Sequence, residues 1–150
     1  KLPAWVNEDQ KPPDINERNV FVVGINLNNE LFVEGAYATI PELKDRVKEF
    51  IINPLQKDDL SEKETKFIEG LGDYDKSKGV VSLTNDRGTD YGSYIRVQNE
   101  LVAAFNELRD EFCYAQFGMK FKALSVELQE AVRLAIPTAI SEAEPVEIKR

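Results

Sequence analysis

Histidine is absent from this chain of 150 residues, and cysteine, tryptophan and methionine each occur once. Without an imidazole there is no candidate for the commonest general base, for the usual zinc ligand, or for a Ser-His-Asp or Cys-His nucleophile pair. Most hydrolase chemistry is excluded with it. The lone cysteine, Cys113, permits no disulfide within the chain, and its apolar helical surroundings make it a small buried hydrophobe rather than a reactive thiol. Basic charge is also scarce: 19 Lys and Arg against 27 Asp and Glu give a formal net charge of -8. Phosphate backbones and anionic headgroups are bound by clustered Lys and Arg, so nucleic acid is not expected as a partner. No stretch approaches the roughly 18 consecutive apolar residues of a membrane helix.

What the chain does contain is 42% hydrophobic and 31% charged residues, enough to bury one core. Residues 1–19, "KLPAWVNEDQKPPDINERN", carry three of the seven prolines without a sustained period and read as an extended linker, so the domain begins near residue 20. Trp5 beside Val6 is the one bulky apolar pair in that arm, and its expected place is docked on the domain.

"VFVVGINL" and "ELFV", separated by Asn28-Asn29, predict a β-hairpin. Thr39 and Glu42 have capping-box spacing around Pro41, and Leu43, Val47, Phe50 and Ile51 follow at helical steps, which predicts a helix over about 40–53. In 54–77 a second capping box, Ser61 with Glu64, predicts one short helix carrying Phe67, Ile68 and Leu71, and "GDYDKSKG" reads as a solvated loop. "VVSL" predicts a central strand. The long helix after it aligns Tyr94, Val97, Leu101, Phe105, Leu108 and Phe112 on one stripe. A short helix from near Ser125 to before Pro137 and a last short strand at "TAIS" complete the chain. The expected fold is α+β: a two-layer sandwich with a small mixed β-sheet and helices packed on one face, the third strand parallel to the second.

The strand-to-helix loop "NDRGTDYG" invites comparison with phosphate and acid-base sites. It has neither a Gly-Lys-Ser/Thr ending nor a G-x-G-x-x-G pattern. Asp86 and Asp90 are four apart, but Asp90 is placed to cap the helix beginning at Tyr91. Asp86 and Arg87 can tie the turn by local hydrogen bonds, and Gly88 can supply a positive φ. A cation site from Asn85, Asp86 and Asp90 lacks the spacing and final Glu of a calcium loop. No catalytic, cofactor-binding or metal residue is therefore assigned, and no cofactor is expected.

The Asp-Arg then Tyr-Gly segment after "VVSL" resembles the one that follows the third strand in ExbD and TolR proteins. The hairpin "VFVVGINLNNELFVEG" and the helix "TIPELKDRVKEFI" precede it in the same order, and "QNELVAAFNELRDEF" and "AISEAEP" extend the resemblance to an ExbD-like variant. The matched segments, about 20–53 and 78–112, cover roughly half the chain; 54–77 and 114–136 read as insertions. The resemblance implies the periplasmic domain of a single-pass inner-membrane protein, non-enzymatic, driven by proton motive force. Its implied partners are an ExbB-like channel protein, a TonB-like transducer and a second copy of itself. Residues 1–19 would be the juxtamembrane linker. The family's proton-carrying aspartate lies in a membrane helix and has no counterpart among these residues.

On this reading Asp86, Arg87, Gly88, Tyr91 and Gly92 are signature positions that shape the turn or dock a partner. Thr138, Ala139, Ile140 and Ser141 form the expected edge strand for an added partner strand, with Leu31–Val33 as second choice. The alternatives are a TolR-like cell-wall or small-ligand-binding module, which an aromatic cleft would favour, and a carboxylate enzyme.

Overall fold

The computed structural model describes residues 16–142, so residues 1–15 of the proposed linker, with Trp5 and Val6, lie outside the described residues, whereas 16–19 pack on the domain, with Asn19 buried and its Nδ2 donating to Glu62 Oε1 (2.8 Å). After a 3-10 turn at Glu17–Asn19, the elements are β1 (Val20–Ile25), β2 (Leu31–Val33), β3 (Ala36–Ala38), α1 (Ile40–Ile52), β4 (Lys63–Ile68), β5 (Gly72–Ser77), β6 (Val80–Asn85), α2 (Tyr91–Phe117), α3 (Val126–Ala135) and β7 (Ile140–Glu142). Five strands form one mixed sheet in the order β3-β2-β1-β6-β7, while β4 and β5 form a separate two-stranded ribbon. The fold is α+β, with the helices packed against the sheet.

Period two on the strands and period 3.6 on the helices meet in a single core. Phe21, Val23 and Ile25 of β1, Leu31 and Val33 of β2, and Val81 and Leu83 of β6 point to the same face. They meet Leu43, Val47, Phe50 and Ile51 of α1 and Val97, Leu101, Ala104, Phe105 and Leu108 of α2. Ala131 and Ala135 of α3 close one end. Cys113 sits fully buried with Leu124 and Val132 in a satellite cluster, and burial followed by the nearby Asp110 pushes its thiol pKa up, as suits a structural hydrophobe.

Several sequence expectations are corrected, three of them between Ser61 and Gly79. The segment 54–77 contains no short helix: Lys63–Ile68 and Gly72–Ser77 pair antiparallel, turning at Glu69 to Leu71. Ser61 is no N-cap. Its hydroxyl donates to the carbonyl oxygens of Phe50 (2.7 Å) and Ile51 (3.2 Å), satisfying acceptors left open at the C-terminal end of α1. "GDYDKSKG" was expected as loop because it lacks an apolar period, yet most of it is β5, a half-buried strand whose partner β4 is largely in water.

The strand at Val80 does not run parallel to the second strand. It pairs parallel with the first, Val20 opposite Val80 through Ile25 opposite Asn85. The unforeseen β3 explains this: Glu34 and Gly35, with φ of 52° and 84°, make a two-residue turn that reverses the chain before α1 carries it across the sheet. For the same reason Leu31–Val33 is not an edge, being paired with both β1 and β3.

Candidate functional site

Because β1 and β6 are parallel, their carboxyl ends lie side by side and the turns leaving them, 26–30 and 86–90, bind each other. The Asp86 amide donates to the Ile25 carbonyl (2.9 Å), and the Leu27 amide donates to Asp86 Oδ2 (3.0 Å). Thr89 Oγ1 donates to the Asn26 carbonyl (3.2 Å), and the Asp90 amide donates to Asn29 Oδ1 (2.8 Å). Buried Asn26 organises its own turn: its Oδ1 accepts from the Asn28 and Glu30 amides, both at 2.9 Å. Gly88 has φ 86°, in the left-handed region that favours glycine, while the nearest atom to a Cβ there, Leu27 Cδ1 at 2.9 Å, is the end of an exposed side chain that can move aside.

Asp90 caps α2 as its position suggested, Oδ2 accepting from the Ser93 amide (3.2 Å) and hydroxyl (3.3 Å). Asp90→Ala is expected to lower stability by about 0.5–2 kcal/mol, the usual value of a lost N-cap. Urea unfolding measures it; an unchanged midpoint would remove the cap's energetic role.

Asp86 is thus buried and committed to the Leu27 amide, whereas Arg87, Gly92 and Tyr91 (76% exposed) face outward with Leu27 (59% exposed). The turn offers an apolar and cationic surface for contact, with its carboxylates turned to backbone amides. Among the described residues no group of three or more His, Cys, Asp or Glu side chains is placed to hold a metal ion.

At the far edge of the sheet, Thr138 and Ala139 lead into β7 rather than belonging to it, and the strand comprises Ile140, Ser141 and Glu142. Arg109 fixes the approach from α2: Nε donates to the Ile136 carbonyl (2.8 Å) and Nη2 to Thr138 Oγ1 (2.6 Å). The Ala139 carbonyl accepts from the Val81 amide (2.8 Å), which opens the parallel pairing with β6. Main-chain groups alternate sides along a strand, so those of Ile140 and Glu142 turn away from β6. The Ile140 amide is taken by the Thr138 carbonyl (3.0 Å), leaving Glu142 to supply the outward donor. The Glu142 carboxylate accepts from Tyr94 Oη and from Gln98 Nε2 (2.9 Å), which ties the strand end to α2. Burial, then the bond to Glu142, raises the Tyr94 phenol well above its usual pKa, so it remains a donor.

No family model matches this chain, and no curated protein matches it in sequence.

Two features of the candidate sites escaped the sequence reading. The first is the Asn26, Asn29 and Thr89 lacing, whose only signal was the density of Asn at a hairpin turn. The second is a cleft of about 200 Å³ beneath the β4–β5 ribbon, lined by Ile51, Tyr74, Ser77, Phe105, Ile136 and Ala139 among others. Tyr74 stacks edge-on against Phe112 with ring centroids 5.2 Å apart, and burial raises its pKa. The cleft could not be read from sequence because its roof is the ribbon expected to be loop.

Proposed function

We propose that this chain is a non-enzymatic, ExbD/TolR-like periplasmic coupling domain that binds its partners through main-chain pairing. The order of hairpin, helix, strand and long helix supports this reading, as does the placing of Asp86, Arg87, Tyr91 and Gly92 at one strand-to-helix turn. The observation that carries it is β7: three residues at the sheet edge, with the outward groups of Ile140 and Glu142 on the side that no described strand covers. In this reading an ExbB-like channel protein, a TonB-like transducer and a second copy are the partners, and transport across the outer membrane is the task.

The test is an NMR titration of the chain with a proline-containing linker peptide from a TonB-like transducer. Shifts are expected at Ile140 to Glu142. Glu142→Pro removes the outward amide and should weaken binding by about tenfold, the equivalent of one lost hydrogen bond, while Glu142→Gln keeps it and should cost much less. Equal affinities for the two folded variants would rule out this edge. Shifts centred on Leu27 and Asp86 to Tyr91 would move docking to the turn, and no shifts anywhere would sink the coupling reading.

The cleft favours a second reading, a TolR-like cell-wall or small-ligand-binding module, because it joins aromatic walls to a few polar groups. A ligand there would perturb Tyr74, Phe105 and Ala139 most and leave Glu142, at the far end of β7, unshifted.

A further inference from the structure

The ribbon that roofs the cleft is pinned at both ends. At its base the Ser77 hydroxyl contacts Ser61 Oγ (2.8 Å) and accepts from the Gly79 amide (3.0 Å). A Cβ on Gly79 would stand 2.7 Å from the Phe50 ring, so backbone and ring already touch there. At the tip Ile68 is buried in the main core cluster. Between these anchors lies the space of about 200 Å³, walled by Ile51, Phe105, Ile136 and Ala139. An apolar cavity of about 150 Å³ takes benzene, so this one has room for a single ring or a short branched chain.

The polar groups of the lining divide into spent and open. Ser61 has one hydroxyl proton and gives it to the carbonyls of α1, so Ser77 is the donor between the two hydroxyls and has no proton left for a ligand. Lys63 and Asp75 are exposed at the rim, and neither forms an ion pair among the described residues. Asp75 Oδ1 accepts from the Thr65 hydroxyl (2.7 Å), which steadies the carboxylate without neutralising it. Lys63 faces Ser77 and Thr65 faces Asp75 across the ribbon, so the two charges share one face as diagonal neighbours, about 7–8 Å apart at the strands. Burial first and then the Asp75 charge raise the Tyr74 phenol pKa, so that carboxylate stands near the aromatic wall.

We propose that the cleft binds a free apolar α-amino acid, with its side chain under the ribbon against Tyr74 and Phe105, its ammonium at Asp75 and its carboxylate at Lys63. This rests on the reading of the cleft as a small-ligand site and gives that ligand a chemical class. A rim without open charges would suit an uncharged ring, and a cationic rim alone would suit an apolar carboxylate. Opposite charges on one rim, unpaired with each other above apolar walls, match a zwitterion whose two charged groups share one carbon of an apolar body. An internal residue of a peptide has neither charge, so the free amino acid is the ligand. Exposed ion pairs add little affinity each: burial of the side chain supplies most of the binding, and the rim chooses among ligands of one shape.

Probes that share a phenyl ring and differ in their head groups test this by NMR titration of the full chain: L-phenylalanine, hydrocinnamate, phenethylamine and phenethyl alcohol. All are expected to shift Tyr74, Phe105 and Ala139, with L-phenylalanine bound tightest. Asp75→Asn should weaken L-phenylalanine and phenethylamine by about two- to fivefold and leave hydrocinnamate no weaker, while Lys63→Gln should weaken L-phenylalanine and hydrocinnamate by the same factor and spare phenethylamine. Ala139→Leu fills the cleft and should abolish the shifts of every probe in a chain that circular dichroism still finds folded. Lys63 and Asp75 are exposed, so their variants keep the proposal testable even if the filled cleft does not fold. Phenethyl alcohol bound as tightly as L-phenylalanine, or rim variants without effect, would overturn the amino-acid class and leave a small-ligand site for uncharged rings. No shift from any probe at millimolar concentration, or shifts that survive in folded Ala139→Leu, would overturn the small-ligand reading together with it.

Discussion

Replacing Phe105 with alanine is expected to destabilise the domain by about 3–5 kcal/mol, a fifth or more of the roughly 5–15 kcal/mol stability of an ordinary domain. Phe105 is fully buried at the middle of α2, inside the cluster formed by both helices and the sheet. Loss of the ring removes its transfer free energy and leaves a void that β-strands on one side and a helix on the other cannot collapse to fill. The same ring lines the cleft beneath the ribbon, so the void joins a space already open to solvent, which argues for the lower part of that range. Denaturant unfolding gives the value, with Tyr91→Ala as control: that side chain is 76% exposed on the same helix and should change stability by no more than about 0.5 kcal/mol. Similar losses for the two would mean that the stripe on α2 is not what holds the layers together.

Arg109→Met is expected to cost about 1.5–3 kcal/mol and to loosen β7 before the rest of the domain. The side chain is 9% exposed and its three hydrogen-bond partners, the Ile136 carbonyl, Asn106 Oδ1 and Thr138 Oγ1, are all neutral oxygens. Burial, then repulsion from Arg133, lowers the guanidinium pKa, but the group stays charged through the working range of pH. Methionine preserves the packing of the aliphatic stem and removes the charge, so the burial cost it relieves partly offsets the orphaned Ile136 carbonyl. Amide exchange separates the two effects. The Ser141 amide, which faces β6, should be accelerated markedly more than that of Val23; uniform acceleration would mean that Arg109 supports the whole core and has no special hold on the edge strand.

The parts of this fold that could be read from the sequence are those whose residues face two different media. Helix α2 shows its stripe because Val97, Leu101, Phe105 and Leu108 are buried while Tyr91 and Tyr114 are not, and Asp90 and Ser125 cap as their positions suggest. The β4–β5 ribbon was invisible for the opposite reason. Five residues of β4 are exposed on both faces, so no alternation marks the strand, and Ser61 with Glu64 mimics a helix start although Ser61 serves the preceding helix. Thr39 and Glu42 illustrate a milder case. Their side chains do bond to each other (3.0 Å), but the Thr39 side chain takes no backbone amide. Strand β3 is three residues long with Tyr37 in water, too short to show a period. The turn at Asp86 to Gly92 was legible as a turn, and Gly88 as its hinge. The hairpin turn at Asn28 and Asn29 was legible too, but the bonding of the two turns to each other was not, because the contacts between 26–30 and 86–90 join residues about sixty positions apart.

That separation also governs when the sheet can exist. Strand β1 pairs on one side with β2, eight residues downstream, and on the other with β6, which no chain can provide until residue 85 has been made. In the interval the hairpin presents the long side of β1 unpaired, with Phe21, Val23 and Ile25 lacking most of their cover. Closing a loop of this length before any pairing contact forms makes the step slow, and an open apolar strand invites pairing with another nascent chain. The helix α2 is local and capped, but it has nothing to pack on until β6 has docked. The six-residue parallel ladder is therefore expected to be the slow step, and the interval before it forms to be when the chain is most exposed to aggregation.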